Sequence, residues 1–201
     1  MIRYPTAYAV FDFETSGLSP KTDKIIEFAV KNSESGEITS TLIKWPDFKI
    51  GTKTTEITGI TQDEIDEKGI RPQDAIIMFI KAIGHQPIIG HNAHNFDIPF
   101  LKMWVQNSLA GKSLHTYYEK FSTMYLDTAA IYRGIKLNSG QQWYEDFKTF
   151  ADRIYDTDRY GMRYSLSHCC NEYRIPIEEK LHRAAADVAL TEKLYLKLIN
   201  E

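Results

Sequence analysis

The chain holds 201 residues, 43% of them hydrophobic and 25% charged, with a formal net charge of −3. That size and composition suit one soluble α/β domain with a sizeable core, and no apolar run approaches the ~20 residues needed to span a bilayer. The charge balance excludes a broad basic surface, so a nucleic-acid partner would be gripped locally at a short end.

The N-terminal stretch MIRYPTAYAVFDFET lacks the apolar segment and small-residue cleavage site of a secretory signal. Tyr8 to Phe11 is an unbroken apolar run, as in a strand buried on both faces, and Phe13 extends it past Asp12. Lys24 to Lys31 reads as a second strand. Gly36-Glu37 marks the turn into a third, Ile38 to Trp45. Helices are expected at Thr61 to Glu67, with Thr61 and Glu64 forming a capping box, and at Pro72 to Ile83. Gln86 to Asn92 is a short apolar strand. Ile98 to Asn107 follows as a helix with Pro99 in its first turn, where proline is tolerated. Further helices are expected at Tyr125 to Arg133, Ser165 to Tyr173 and Arg183 to Ile199. Cys169 and Cys170 are adjacent and not expected to pair, which fits a reduced, cytoplasmic protein. No repeat or linker divides the chain, so one domain over residues 1–201 is expected. Its architecture is a mixed sheet flanked by helices.

The chemistry concentrates in a few polar positions. Residues two apart in a strand share a face, so Asp12 and Glu14 project together while Phe11 and Phe13 face the other way. Ser16-Gly17 breaks the strand just beyond, and ligands of open α/β sheets gather at the carboxyl ends of strands. Paired carboxylates there lose hydration and repel, at roughly several kcal/mol per ion unless a cation neutralises them. The plain alternative is an edge strand with its acids in water, against which the run Tyr8 to Phe11 argues. Asp97 follows a short strand and a brief polar connection; it also suits a helix N-cap before Ile98-Pro99, and both roles can hold together. Asp187 shares the helical stripe of Leu190, Leu194 and Leu198. An aspartate on a buried face must be paired or bind metal, and Arg183, four residues earlier, is the alternative partner. His182 lies about one turn before Asp187, at the rim of the same place.

FDFETSGL, HNAHNFDIPFL and HRAAAD, in that order, resemble the three exonuclease motifs of the DnaQ-like, DEDDh superfamily of 3′→5′ exonucleases. Within that superfamily they look like the proofreading subunits of bacterial DNA polymerase III. The similarity runs from about Ala7 to Leu198. TEITGIT also resembles the family's V-H-G-I-T stretch, with Thr58 where histidine is common. The sister branch carries tyrosine four residues before its last aspartate. Here Arg183 stands there and His182 five before, which assigns the histidine branch.

The resemblance implies a ribonuclease H-like α/β fold and a two-metal phosphodiesterase. Asp12, Glu14 and Asp187 would hold one Mg²⁺ or Mn²⁺, with Asp12 bridging to a second that Asp97 orients. Hard oxygen donors suit such ions, and two of them about 4 Å apart stabilise an in-line displacement. His182 would act as general base on the attacking water, and an ordinary histidine titrates near enough to neutrality for that task. Thr15, Ser16 and Gly17 would offer donors to the terminal sugar and phosphate, and Leu18 would wedge against the terminal base. Ile57, Asn92 and Phe96 would contact the last nucleotides of a single-stranded or frayed 3′ end. DNA is the expected substrate, a DNA polymerase is a partner to expect, and nucleoside 5′-monophosphates are the products. An RNA-trimming enzyme of the same superfamily and a binding or polymerase-tethering module without turnover are the alternatives.

Residues 134–164 exceed a compact connection and read as an insertion. Trp143, Phe147, Phe150 and Ile154 recur at helical spacing. Arg153, Arg159 and Arg163 alternate beyond them with Tyr155, Tyr160 and Tyr164. The segment is either a helix covering the core or a flap that grips single-stranded nucleic acid.

Overall fold

A computed structural model of the protein describes residues 4–108, 121, 124–157, 161–177 and 182–201. Its centre is strand β1 (Ala9–Thr15), which pairs antiparallel with β2 (Ile25–Asn32) on one side and parallel with β4 (Ile88–Gly90) on the other. Beyond them lie β3 (Ile38–Leu42), antiparallel to β2, and β5 (Tyr125–Asp127), parallel to β4, giving the order β3-β2-β1-β4-β5. The mixed α/β sheet expected from the sequence is therefore present. The carboxyl ends of β1, β4 and β5 all point one way, so the loops leaving them meet at one edge.

The two faces of β1 do different work. Phe11 and Phe13 pack edge-on and tilted against Phe79 of helix α3 (Pro72–Ile83), with centroids 6.0 and 5.3 Å away. Phe13 also meets Trp104 of α4 (Asp97–Ser108) at 5.9 Å, and the Trp104 indole donates to the Pro72 carbonyl at 3.2 Å. Aromatic pairs in such geometry add about 0.5–1.5 kcal/mol beyond their burial. On the other side, the last helix, α8 (Ala184–Leu198), lies against β1 and β2.

Several boundaries differ from the sequence expectation. The third strand stops at Leu42: the Ile43 N–H still donates to the Ile26 carbonyl, but Ile43 bridges to Ile70, Lys44 donates to the Ile70 carbonyl, and the Trp45 indole folds back to donate to the Ile25 carbonyl. A helix, α1 (Thr52–Thr58), forms where none was expected. Four of its seven residues are threonine, a poor helix former, so the sequence pattern is silent there. Tertiary contact compensates, through the Thr54 hydroxyl donating to the Ser16 carbonyl at 2.9 Å and Gly59 closing the helix at φ +74°. In α2 (Gln62–Lys68) the Thr61 oxygen accepts the Glu64 N–H at 3.1 Å, half of the expected capping box. Tyr125 to Asp127 is a strand and not the start of a helix; α5 (Thr128–Lys136) begins only after Asp127 caps it. Three buried residues carry no periodicity that separates strand from helix.

Next comes α6 (Phe147–Asp156), whose Phe147, Phe150, Ala151 and Ile154 are buried against α5 and β5. Helix α7 (Leu166–Glu172) follows. Trp143 does not join that apolar face: it is 89% exposed, in the turn before the helix. Arg153 is held by Glu145 at 2.6 Å and by the Ser139 hydroxyl at 2.7 Å. Tyr155 and Tyr164 flank the buried Arg133 guanidinium at 5.5 and 4.8 Å. These groups are committed to the fold, which favours the core-covering reading of α6; Arg159 and Tyr160 lie outside the described residues. Among the described residues no helix is long and apolar enough to cross a membrane. Phe150→Ala should cost about 3–5 kcal/mol of stability, as for a fully buried phenylalanine, and Trp143→Ala less than about 0.5 kcal/mol. Urea unfolding of the two variants checks this.

Candidate active site

At the carboxyl edge of the sheet the chain encloses a cavity of about 600 Å³. Asp12, Glu14, Thr15, Ser16, Gly17, Leu18, Ile57, Asn92, Phe96, Asp97, His182 and Asp187 all line it. The structure thus brings together every residue singled out from the sequence, from segments up to 175 positions apart. Thr58, which stands at the family's histidine position, lines it too, and so do Lys53, Thr54 and His91, which were not expected there.

Each side chain is delivered by its element. Asp12 and Glu14 leave the same face of β1, and the register shift between Glu14 and Thr15 bends the strand away just beyond them. The loop that follows is tied by Asp23, whose carboxylate accepts the Ser19 N–H at 2.9 Å and the Ser16 hydroxyl at 3.3 Å. A Cβ on Gly17 would sit 2.5 Å from that carboxylate, so glycine is needed for the close approach. Leu18 is left 85% exposed at the cavity mouth. Thr58, in the histidine-favouring position, spends its hydroxyl within the fold: it donates to the Thr54 carbonyl at 2.9 Å and accepts the Ile60 N–H at 3.1 Å.

The β4–α4 loop is built around Asp127, a fully buried aspartate at the end of β5. It accepts the N–H groups of Asn92 (2.8 Å), His94 (3.0 Å) and Ala129 (2.9 Å) and the Tyr155 hydroxyl (2.9 Å). These bonds hold Asn92 at φ +58°, a left-handed conformation that asparagine tolerates. Asp127 was hidden in the sequence inside an expected helix. His91 lies between the Tyr164 carbonyl (2.7 Å from Nε2) and the Thr128 hydroxyl (2.8 Å from Nδ1). Burial lowers its pKa, so a neutral ring donating from Nε2 and accepting at Nδ1 fits both partners. The repeated histidines of HNAHN were the available signal.

Helix α8 supplies Asp187 from its first turn. His182 stands before it at φ +68°, exposed, and its N–H donates to Asp187 Oδ2 at 3.2 Å. Arg183 does not pair with Asp187; it forms an ion pair with Glu27 of β2 at 2.9 Å. Glu27 faces Glu14 across the β1–β2 ladder and was not recognised from the sequence, where it sits inside a uniformly apolar strand.

The electrostatics are those of crowded acids. Asp12 is raised well above the usual aspartate range, first by burial and then by Asp97, Asp187, Glu14 and Glu27. Glu14 is pushed from 4.5 to about 8, by burial and then by Asp187 and Glu27. Burial also raises Asp97, with Asp127 adding to it, and raises Asp187 against the pull of the His182 N–H. Asp97 Oδ1 and Asp187 Oδ1 are buried and lack a hydrogen-bond partner. Glu14, His182 and Asp187 each offer one ligand atom within 4.8 Å of the others. Orphaned carboxylate oxygens converging with like charges fit a site for a hard divalent cation.

Raised carboxylate pKa values mean that the folded, metal-free protein binds protons the unfolded chain releases. Stability from this cluster is therefore present below pH 4.5 and lost as pH rises toward about 8, the folded value of Glu14. Added Mg²⁺ or Mn²⁺ should raise the melting temperature more at pH 8.5 than at pH 6. Asp12→Asn should raise the metal-free melting temperature at pH 8 by about 2–4 °C and abolish the response to metal. Differential scanning calorimetry across pH, with and without metal, checks both.

The RNase_T exonuclease family profile matches residues 9–195. DNA polymerase III PolC-type of Thermotoga maritima is 36% identical over 136 residues, which cover 66% of this chain and 9% of that protein. The corresponding polymerase of Bacillus subtilis is 29% identical over 198 residues, covering 96% of this chain and 11% of its own length. The chain thus spans only about a tenth of these relatives. Among solved structures, E. coli exonuclease I bound to single-stranded DNA superposes with a TM-score of 0.72 at 21% identity, over 98% of this chain and 41% of that one. Exonuclease I with a dT13 oligonucleotide gives 0.71. At that identity the likeness establishes the fold, a ribonuclease H-like exonuclease scaffold. With its family profile matched from Ala9 to Tyr195, the chain belongs to the RNase_T exonuclease family, within the DnaQ-like 3′→5′ exonucleases.

Proposed function

We propose that this chain is a metal-dependent 3′→5′ exonuclease domain that removes nucleotides from single-stranded or frayed DNA ends as nucleoside 5′-monophosphates. The observation that carries this reading is the convergence of Asp12, Glu14, Asp97 and Asp187 in one cavity with partnerless carboxylate oxygens. The nearby Arg183 guanidinium does not pair with them, because Glu27 engages it. DNA is favoured because exonuclease I is seen with single-stranded DNA and the PolC-type relatives are DNA polymerases. A DNA polymerase as working partner fits the same relatives. In this reading residues 1–201 form one exonuclease domain, with 134–164 as an added cover, and the free buried Cys169 and Cys170 suit a reducing cytoplasm.

The four carboxylates would hold two divalent cations, Mg²⁺ or Mn²⁺. When bound, these supply positive charge to the attacking and leaving oxygens of an in-line displacement at phosphorus. The protein's own groups do the rest. His182, on the exposed rim, takes the proton of the attacking water at a ring nitrogen as the P–O bond to the water forms. The bond from phosphorus to the preceding 3′-oxygen breaks, and that oxygen leaves with a proton. The Ser16 N–H is already given to the Lys24 carbonyl at 2.9 Å, which leaves the backbone of Thr15 and Gly17 to offer donors to the terminal nucleotide. Leu18 and Ile57, both exposed at the cavity, and Phe96 give apolar surface to the bases, with Asn92 beside them. Stacking and backbone contacts tolerate any base, as trimming of mixed sequence requires.

Digestion of a 5′-labelled DNA oligonucleotide should give a descending ladder and 5′-mononucleotides with Mg²⁺ and nothing with excess chelator. Metal-independent cleavage or binding without turnover would refute the proposal. A matched RNA should be cut more slowly; faster RNA cleavage would transfer the assignment to RNA. His182→Ala should lower kcat by about 10²- to 10⁴-fold and leave Mn²⁺ affinity within about threefold. Near-full turnover in that variant at saturating metal would remove His182 as the base.

A further inference from the structure

A further carboxylate, Glu27, stands across the ladder from Glu14 and has a different employment from the four acids of the cavity. Glu27 takes the Arg183 guanidinium through Nη2 at 2.9 Å and Nε at 3.2 Å, and its second oxygen accepts the Ala184 N–H at 2.9 Å. Arg183 is the N-cap residue of α8 and makes no side-chain cap bond of its own, so the first-turn N–H is satisfied from β2. Arg183 has extended backbone (φ −130°, ψ 122°) just ahead of the turn that carries Asp187, and Glu14, the cross-strand neighbour of Glu27, also meets its charge. Asp187 Oδ1 nevertheless remains buried and partnerless. Glu64 approaches Arg183 only to 3.9 Å, at the exposed end of the guanidinium.

We propose that Glu27 is a positioning residue: by fixing the Arg183 guanidinium and the first N–H of α8, it keeps Asp187 open to a divalent cation. Without Glu27 the guanidinium turns to the cavity acids, Glu14, whose charge it already meets, and the partnerless Asp187, and closes the site with an internal ion pair. The pairing is bidentate on Glu27, and a neutral amide at that position cannot compete with an ionised carboxylate for arginine. This inference rests on the exonuclease reading in taking Asp187 as a cation ligand.

Calorimetric titration of Mn²⁺ alone into the wild-type chain, Glu27→Gln, and the double variant Glu27→Gln/Arg183→Met tests it, with thermal unfolding to confirm that each is folded. The single variant should bind Mn²⁺ on the order of tenfold more weakly, as for other residues that orient metal ligands. The double variant, with no guanidinium to turn, should return to within threefold of wild type. The loss in Glu27→Gln should persist in 0.5 M KCl, because a direct contact with Asp187 survives screening that removes a merely distant charge. Binding by Glu27→Gln within threefold of wild type, a double variant no better than the single one, or a loss erased by salt overturns the inference. If Glu27→Gln does not fold, the double variant decides alone: affinity within threefold of wild type supports the proposal and weaker binding overturns it. A wild-type chain that binds no Mn²⁺ overturns the exonuclease reading itself, which separates the two failures.

Discussion

Acids crowded into one cavity cannot all be ionised without a counter-charge, and the rest of this structure is arranged around that constraint. Asp12, Glu14, Asp97 and Asp187 are each raised by burial, and Asp97, Asp187 and Glu14 all add to the burden of Asp12. The fold tolerates the repulsion because the opposite face of β1 is locked into the aromatic cluster of Phe11, Phe13, Phe79 and Trp104. One strand therefore joins the best-packed part of the core to the least comfortable part of the surface. Such coupling of strain to a well-determined scaffold is the usual signature of a site kept for chemistry.

The acids are held by groups that do not themselves line the reaction path. Asp127 gathers the backbone of the β4–α4 loop and so fixes Asn92 and the approach to Asp97. Glu27 gathers Arg183 and the first turn of α8. Asp23 knots the loop after β1. Each is a carboxylate that accepts N–H or guanidinium donors, whereas Asp97 and Asp187 in the cavity each keep one buried oxygen free. The division between satisfied and unsatisfied carboxylates distinguishes scaffold from site within the same local sequence. Helix α6 takes part through Tyr155, whose hydroxyl reaches Asp127, so this helix braces the loop while it covers the core.

How legible this was depended on whether a residue broke a local pattern. Asp12 and Glu14 interrupt an apolar strand, and Asp187 interrupts a leucine stripe, so their cost was visible without coordinates. Glu27 interrupts KIIEFAVK just as plainly, but as a lone acid in a strand it has no nearby sequence partner, and Arg183 is 156 positions away. Helix α1 escaped because its threonines oppose helix and only the contact with Ser16 secures it. β5 escaped because three residues are too few to show a period. Trp143 was drawn into an apolar face by spacing alone, although the turn capped by Asp146 starts α6 after it.

By itself the sequence determined the periodic elements, the acidic positions and their order along the chain, because hydrophobic patterning and the cost of burying charge are local properties. Which acids keep free oxygens and which are satisfied was decided only by the tertiary structure. A carboxylate's partners come from other strands and helices, and at ångström range the first donor to arrive decides whether an oxygen is neutralised or left for a cation.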